Sequence, residues 1–151
     1  MARPFDVSRL EDSLDTTDAD LMPDVETYLN EALFFVDVLR PNLAALPPGA
    51  RITEIGSGVG LLSMLVASRG HHVTSYEPES AGFSVMARAR RLLLETWTGP
   101  DIDVTWVDDT FASTPGDDAD QDLVYAINVI EHVPDAASLI ENATRVLRNS
   151  G

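Results

Sequence analysis

The chain has 151 residues, 44% of them apolar, and its acids outnumber its bases 25 to 10, for a formal charge of −15. That length fits one domain and that apolar share fills a core, so disorder over the whole chain is excluded. The charge argues against sequence-independent binding to nucleic acid or to an anionic membrane surface. The lack of cysteine excludes disulfides and thiolate chemistry, and three histidines leave little room for a metal site.

In chain order, Met1–Asp6 has no apolar stretch of a secretory signal, and no apolar run approaches the ~20 residues that span a bilayer. A soluble, cytoplasmic protein is expected. Residues 1–23 read as an acidic lead-in, since seven acids and no base lie between Glu11 and Glu26; such a run is a solvated segment. Asp24–Arg40 is predicted as a helix. Val25, Tyr28, Leu29, Ala32, Leu33, Val36 and Leu39 follow helical spacing, Asp24 caps the start and Pro41 stops the end. Phe34, Phe35 and Val38 widen the stripe, so this helix packs on two sides, and Tyr28 is a candidate pocket residue. Pro41–Ala50 reads as a loop that turns at Pro47-Pro48-Gly49.

From Arg51 the pattern alternates. Strands are predicted at Arg51–Ile55, His72–Tyr76, Ile102–Val107 and Leu123–Ile127. Helices are predicted at Leu61–Arg69, from Pro78 to about Thr96, and at Ala136–Leu147, with Ser113–Asp120 a polar loop. Strands separated by helical segments of ~10–15 residues mean βαβ units and a parallel sheet, an α/β fold with helices on both faces. Arg88, Arg90 and Arg91 read as a solvated helix face, and Trp97 and Trp106 as packing residues.

The residues that carry chemistry sit at strand ends. Glu54-Ile55-Gly56-Ser57-Gly58-Val59-Gly60 follows a strand and opens a helix, the setting of a nucleotide-binding turn. Gly56 turns the chain off the strand, Gly58 lets backbone approach a ligand, and Gly60 lets the helix sit close to the sheet. A dinucleotide turn wants its third glycine at position 61, which is Leu here. The pattern is instead acid-x-G-x-G-x-G, and an acid at Glu54 suits a cationic ligand group better than a pyrophosphate. Glu77, followed by Pro78, lies 17 residues beyond Gly60 at the next strand end, where a carboxylate takes ribose hydroxyls. Asp108 and Asp109 lie past the third strand and offer an acceptor to an exocyclic adenine amine.

These motifs resemble the class I S-adenosylmethionine-dependent methyltransferases. Glu54–Gly60 looks like the family's first motif, Glu77 like its ribose-binding acid, and Asp109, with Asp108 the alternative, like its adenine-binding acid. Asp122–Asp135, with its Glu-His-Val-Pro-Asp run, resembles the fourth-strand motif, and Val146–Gly151 the turn into the fifth strand. The resemblance implies S-adenosylmethionine as cofactor, held by Glu54, Gly56, Ser57, Gly58, Gly60, Glu77, Pro78, Asp108, Asp109 and the backbone near Asn128. It implies a small-molecule acceptor, in the manner of the family's metabolite-modifying branch. His132 is a candidate general base if the acceptor is a hydroxyl, and otherwise a structural hydrogen-bonding residue.

The same resemblance implies two parts. Residues 1–50 form an acidic segment with its helix, and residues 51–151 form the Rossmann-like cofactor-binding portion. The family sheet runs 3-2-1-4-5-7-6, and four of its strands are present. A truncated sheet with an exposed fourth strand is therefore expected, and a second copy or a partner chain would cover that edge. The competing readings are a non-catalytic binding module, favoured by the short sheet, and an NAD-dependent oxidoreductase, disfavoured by Leu61 and Glu54.

Overall fold

The computed structural model describes residues 22–78, 84–111 and 120–148, and strands and helices alternate in it from Arg51 onward. Four strands, β1 (Arg51–Ile55), β2 (His72–Tyr76), β3 (Asp103–Val107) and β4 (Leu123–Ala126), form one sheet in the order β3-β2-β1-β4. All three pairings are parallel. Ile55 pairs with Tyr76 and with Ala126, and Tyr76 pairs with Val107. The four carboxyl ends are thus level, and the segments that follow them gather at one end of the sheet. Open α/β sheets bind ligands there.

Helices cover both faces. On one, α3 (Leu61–Ala67) is buried along its whole length. Its apolar sequence suits a helix enclosed all round. It lies in one cluster with Ile52 and Val73 of the sheet and with Leu29, Ala32 and Val36 of α1 (Met22–Val38). Ala89 and Leu93 of α4 (Ser84–Thr96) join that cluster. On the other face, Leu139 and Val146 of α5 (Ala136–Val146) pack with Ile55 and Phe111. Asp135 caps α5 by accepting from the Ser138 backbone N–H at 3.0 Å. That bond, with one from the Ser138 hydroxyl, holds the Asp135 carboxyl below its ordinary range.

Several expectations are corrected. Pro41 does not end the helical region. It sits in the first turn of a second short helix, α2 (Arg40–Ala45), where a missing N–H costs nothing. Asp24 lies inside α1 rather than capping it, because the helix begins at Met22. β4 stops at Ala126, one residue short of Ile127, and α3 stops at Ala67, two short of Arg69. Of the helix predicted from Pro78, residues 79–83 lie outside the described residues, as do 112–119 of the polar loop. Arg90 is not solvated: it is 7% exposed, with its guanidinium 4.8 Å from the centre of the Trp106 ring.

Arg90 and Trp106 also explain Gly60. This residue has φ +80°, and a Cβ there would stand 2.6 Å from two Trp106 ring carbons and 3.2 Å from Arg90 Cδ. Gly60→Ala is expected to cost about 3 kcal/mol, from crowding together with left-handed strain. Urea denaturation checks it, and a loss under about 1 kcal/mol contradicts it.

Candidate functional site

The turn after β1 is tied to the end of β2. The backbone N–H groups of Gly56 and Ser57 both donate to the Tyr76 carbonyl, at 2.9 and 3.1 Å. The Gly58 N–H donates to Glu77 Oε2 at 2.7 Å. The β2 end is in turn fixed to β3 by the bond from Glu77 N–H to the Val107 carbonyl at 3.0 Å. A Cβ at Gly56 would stand 2.4 Å from Val129, so the chain past β4 closes against the turn there. At Gly58, with φ +54°, a Cβ would meet nothing within 4 Å among the described residues. The turn is braced on three sides and open at Gly58.

That opening gives onto a cavity of about 610 Å³, within the range of small-molecule and cofactor sites. Of the residues expected from sequence, Glu54, Gly56, Ser57, Gly58, Glu77, Pro78, Asp109, Asn128 and His132 line it. Gly60 and Asp108 do not. Gly60 faces Trp106, and Asp108 is an exposed residue outside the wall. The level strand ends account for this gathering, since Glu54 lies at the end of β1 and the others come shortly after their strands.

Two carboxyl groups here are perturbed. Glu54 is 4% exposed, and burial pushes its pKa up to about 8. Its Oε2 accepts from the Ser63 hydroxyl and, at 3.2 Å, from the Tyr125 hydroxyl. Burial likewise raises Glu77, while the Gly58 N–H and the charge of Arg90 work against the rise. Beside them Ser57 Oγ is buried without a hydrogen-bond partner among the described residues. A buried hydroxyl of this kind calls for a partner from outside the protein.

Asn128 has φ 55°, the one positive φ of a non-glycine among the described residues. It lies just past β4 and leads to a short 3-10 turn, Ile130–His132. The His132 N–H donates to the Val129 carbonyl at 2.8 Å, and the exposed side chain borders the cavity.

Sequence reasoning missed two sets of residues. Ser63 and Tyr125 hold Glu54, and both had a trace: Ser63 is the one polar residue of the α3 segment, and Tyr125 is the register partner of Glu54. Glu31 and Phe35 of α1 also line the cavity, beside Tyr28. Phe35 had a trace in the widened apolar stripe, but the packing expected of its companions Phe34 and Val38 is corrected, since they are 63% and 54% exposed; Glu31 had none. Tyr76 and Phe111 add an edge-to-face pair, centroids 5.2 Å apart, to the wall.

A family described as a methyltransferase domain matches residues 53–151. The chain is 35% identical over 103 residues to a ubiquinone biosynthesis O-methyltransferase of Marinobacter nauticus, covering 68% of this chain and 42% of that protein. It is 31% identical over 119 residues to an uncharacterized protein of Mycobacterium tuberculosis, covering 78% and 39%. The chain thus spans about two fifths of the length of the curated relatives it matches. The magnesium protoporphyrin IX methyltransferase of Synechocystis, solved with S-adenosylmethionine bound, superimposes with a TM-score of 0.53. It is 20% identical and is matched over 89% of this chain and 60% of its own. Family match and four-stranded parallel sheet agree: the chain belongs to the class I S-adenosylmethionine-dependent methyltransferases.

Proposed function

We propose that the cavity is the S-adenosylmethionine site of an enzyme that methylates a small-molecule acceptor. The observation that carries this reading is the turn at Ser57-Gly58: among the described residues, open space where a Cβ would stand, beside a buried hydroxyl that lacks a partner. The residues fit the cofactor's polar groups. Glu77 and Asp109 offer acceptors for ribose hydroxyls and an exocyclic amine, and Ser57 awaits a hydrogen-bonding group. Glu54, largely protonated at neutral pH by its burial, becomes a counter-charge beside a cationic amine.

When bound, the cofactor supplies a methyl group on a sulfonium, already a good leaving group. The protein's own work is placement. The glycine turn admits close approach, the bond from Gly58 to Glu77 holds the turn in position, and Phe35, Met86 and Phe111 in the lining help exclude water from the cavity. His132 accepts a proton if the acceptor is a hydroxyl. Relatives named for ubiquinone biosynthesis support a small-molecule acceptor. No helix among the described residues is long and apolar enough to cross a membrane. A cytoplasmic setting belongs to this reading, as does a second chain, copy or partner, paired along β4.

Gly58→Ala tests the proposal. The new Cβ meets nothing within 4 Å among the described residues, so stability falls by only about 1–2 kcal/mol, the left-handed cost. Affinity for S-adenosylhomocysteine is expected to fall at least about tenfold, because the methyl occupies space the ligand needs. Calorimetric titration of both proteins reads the difference, and equal affinities contradict the reading.

A further inference from the structure

We infer that Glu31 selects the charge of the methyl acceptor, so that the acceptor presents a neutral hydrogen-bond donor or a cation to α1 rather than a carboxylate or phosphate. The inference rests on the methyltransferase reading of the cavity.

The cavity has two kinds of wall. The strand ends contribute Glu54, Glu77 and Asp109, together with the unpartnered hydroxyl of Ser57, and these answer to the cofactor. Helix α1 contributes Tyr28, Glu31 and Phe35, which lie along one stripe at helical spacing. The neighbouring stripe, Leu29, Ala32 and Val36, is buried in the core, so α1 is anchored and its cavity side is held in place. Glu31 is exposed at the cavity, unlike the buried Glu54 and Glu77.

Charge decides what this wall accepts. Among the described residues four carboxyl groups and no arginine line the cavity; the chain has no lysine. Arg90, whose charge reaches Glu77, lies against Trp106 outside the lining. An anion entering beside Glu31 meets repulsion that no lining cation offsets, and like-charge contacts of this kind are costly. A cation or a neutral donor gains a hydrogen-bond acceptor instead. Tyr28 and Phe35, one turn to either side, offer aromatic surfaces to a ring that carries such a group.

Two catechols of opposite charge test this: dopamine, a cation, and protocatechuate, an anion. Each is titrated calorimetrically into the complex with S-adenosylhomocysteine. The unaltered chain is expected to bind dopamine at least about tenfold more tightly. Glu31→Gln should narrow that ratio, and Glu31→Lys should reverse it. A general packing defect weakens both ligands together and leaves the ratio unmoved. Equal binding, preference for protocatechuate, binding of neither catechol, or a ratio unchanged in both variants overturns the inference. S-adenosylhomocysteine is titrated first: if it fails to bind, the methyltransferase reading falls and takes this one with it, whereas binding with the wrong ratio overturns the role of Glu31 alone.

Discussion

Glu77→Ala is expected to weaken S-adenosylhomocysteine binding roughly a hundredfold, about 3 kcal/mol. Two losses add. The carboxylate no longer meets the ligand, and the Gly58 N–H loses the 2.7 Å bond that holds the glycine turn in place. Glu77→Gln separates them. Its amide oxygen still accepts from Gly58, while the charge is gone, so about a tenfold loss is expected. The order of affinities, parent over Gln over Ala, is the result that calorimetry should return. An alanine variant that binds within threefold of the parent would remove Glu77 from the site.

The second large effect concerns stability against pH. In the fold, burial raises Glu54 from the ordinary 4.5 to about 8. Between those values the folded chain holds a proton that the unfolded chain has lost. The contribution is therefore fully present below about pH 4.5 and is lost as pH rises through about 8, at roughly 1.4 kcal/mol per unit within the window. Glu77, also raised by burial, acts in the same direction. His71, which burial and the charge of Arg69 hold below its ordinary value, acts in the opposite one. The difference between the parent and Glu54→Gln isolates Glu54. Urea denaturation at pH 5.5, 6.5 and 7.5 should show the variant gaining on the parent by roughly 1.4 kcal/mol per unit. A constant difference across that range means that Glu54 is ionised in the fold.

What the sequence disclosed and what it withheld divide along physical lines. The four strands were readable because short apolar runs alternated with helical spacing, and the parallel order β3-β2-β1-β4 followed from the family's motifs. The strand-end residues were readable because a parallel sheet in level register brings its carboxyl ends together wherever it forms. The short helix at Arg40–Ala45 was not, because proline both ends a helix and begins one, and the local sequence does not say which. The different tasks of Gly58, close approach, and Gly60, close packing, were readable from the motif, but the residue that enforces the second was not. Both are glycines at positive φ in one motif, and the difference is Trp106, brought in from β3 by tertiary packing. Asp108 and Asp109 are chemically alike, and one step of chain direction places one in the wall and the other outside it. Glu31 sat on a helix whose periodicity announced packing. It lines a cavity because the Leu29, Ala32 and Val36 stripe of α1 packs with α3, which no spacing rule specifies.

The central claim is that the cavity at the carboxyl ends of β1, β2, β3 and β4 holds the cofactor. The most direct test is calorimetric titration of the folded chain with S-adenosylhomocysteine. One site per chain with micromolar affinity, lost in Glu77→Ala, is the predicted result. A folded, monodisperse chain that takes up no ligand, or that binds equally well without the Glu77 carboxylate, would contradict it.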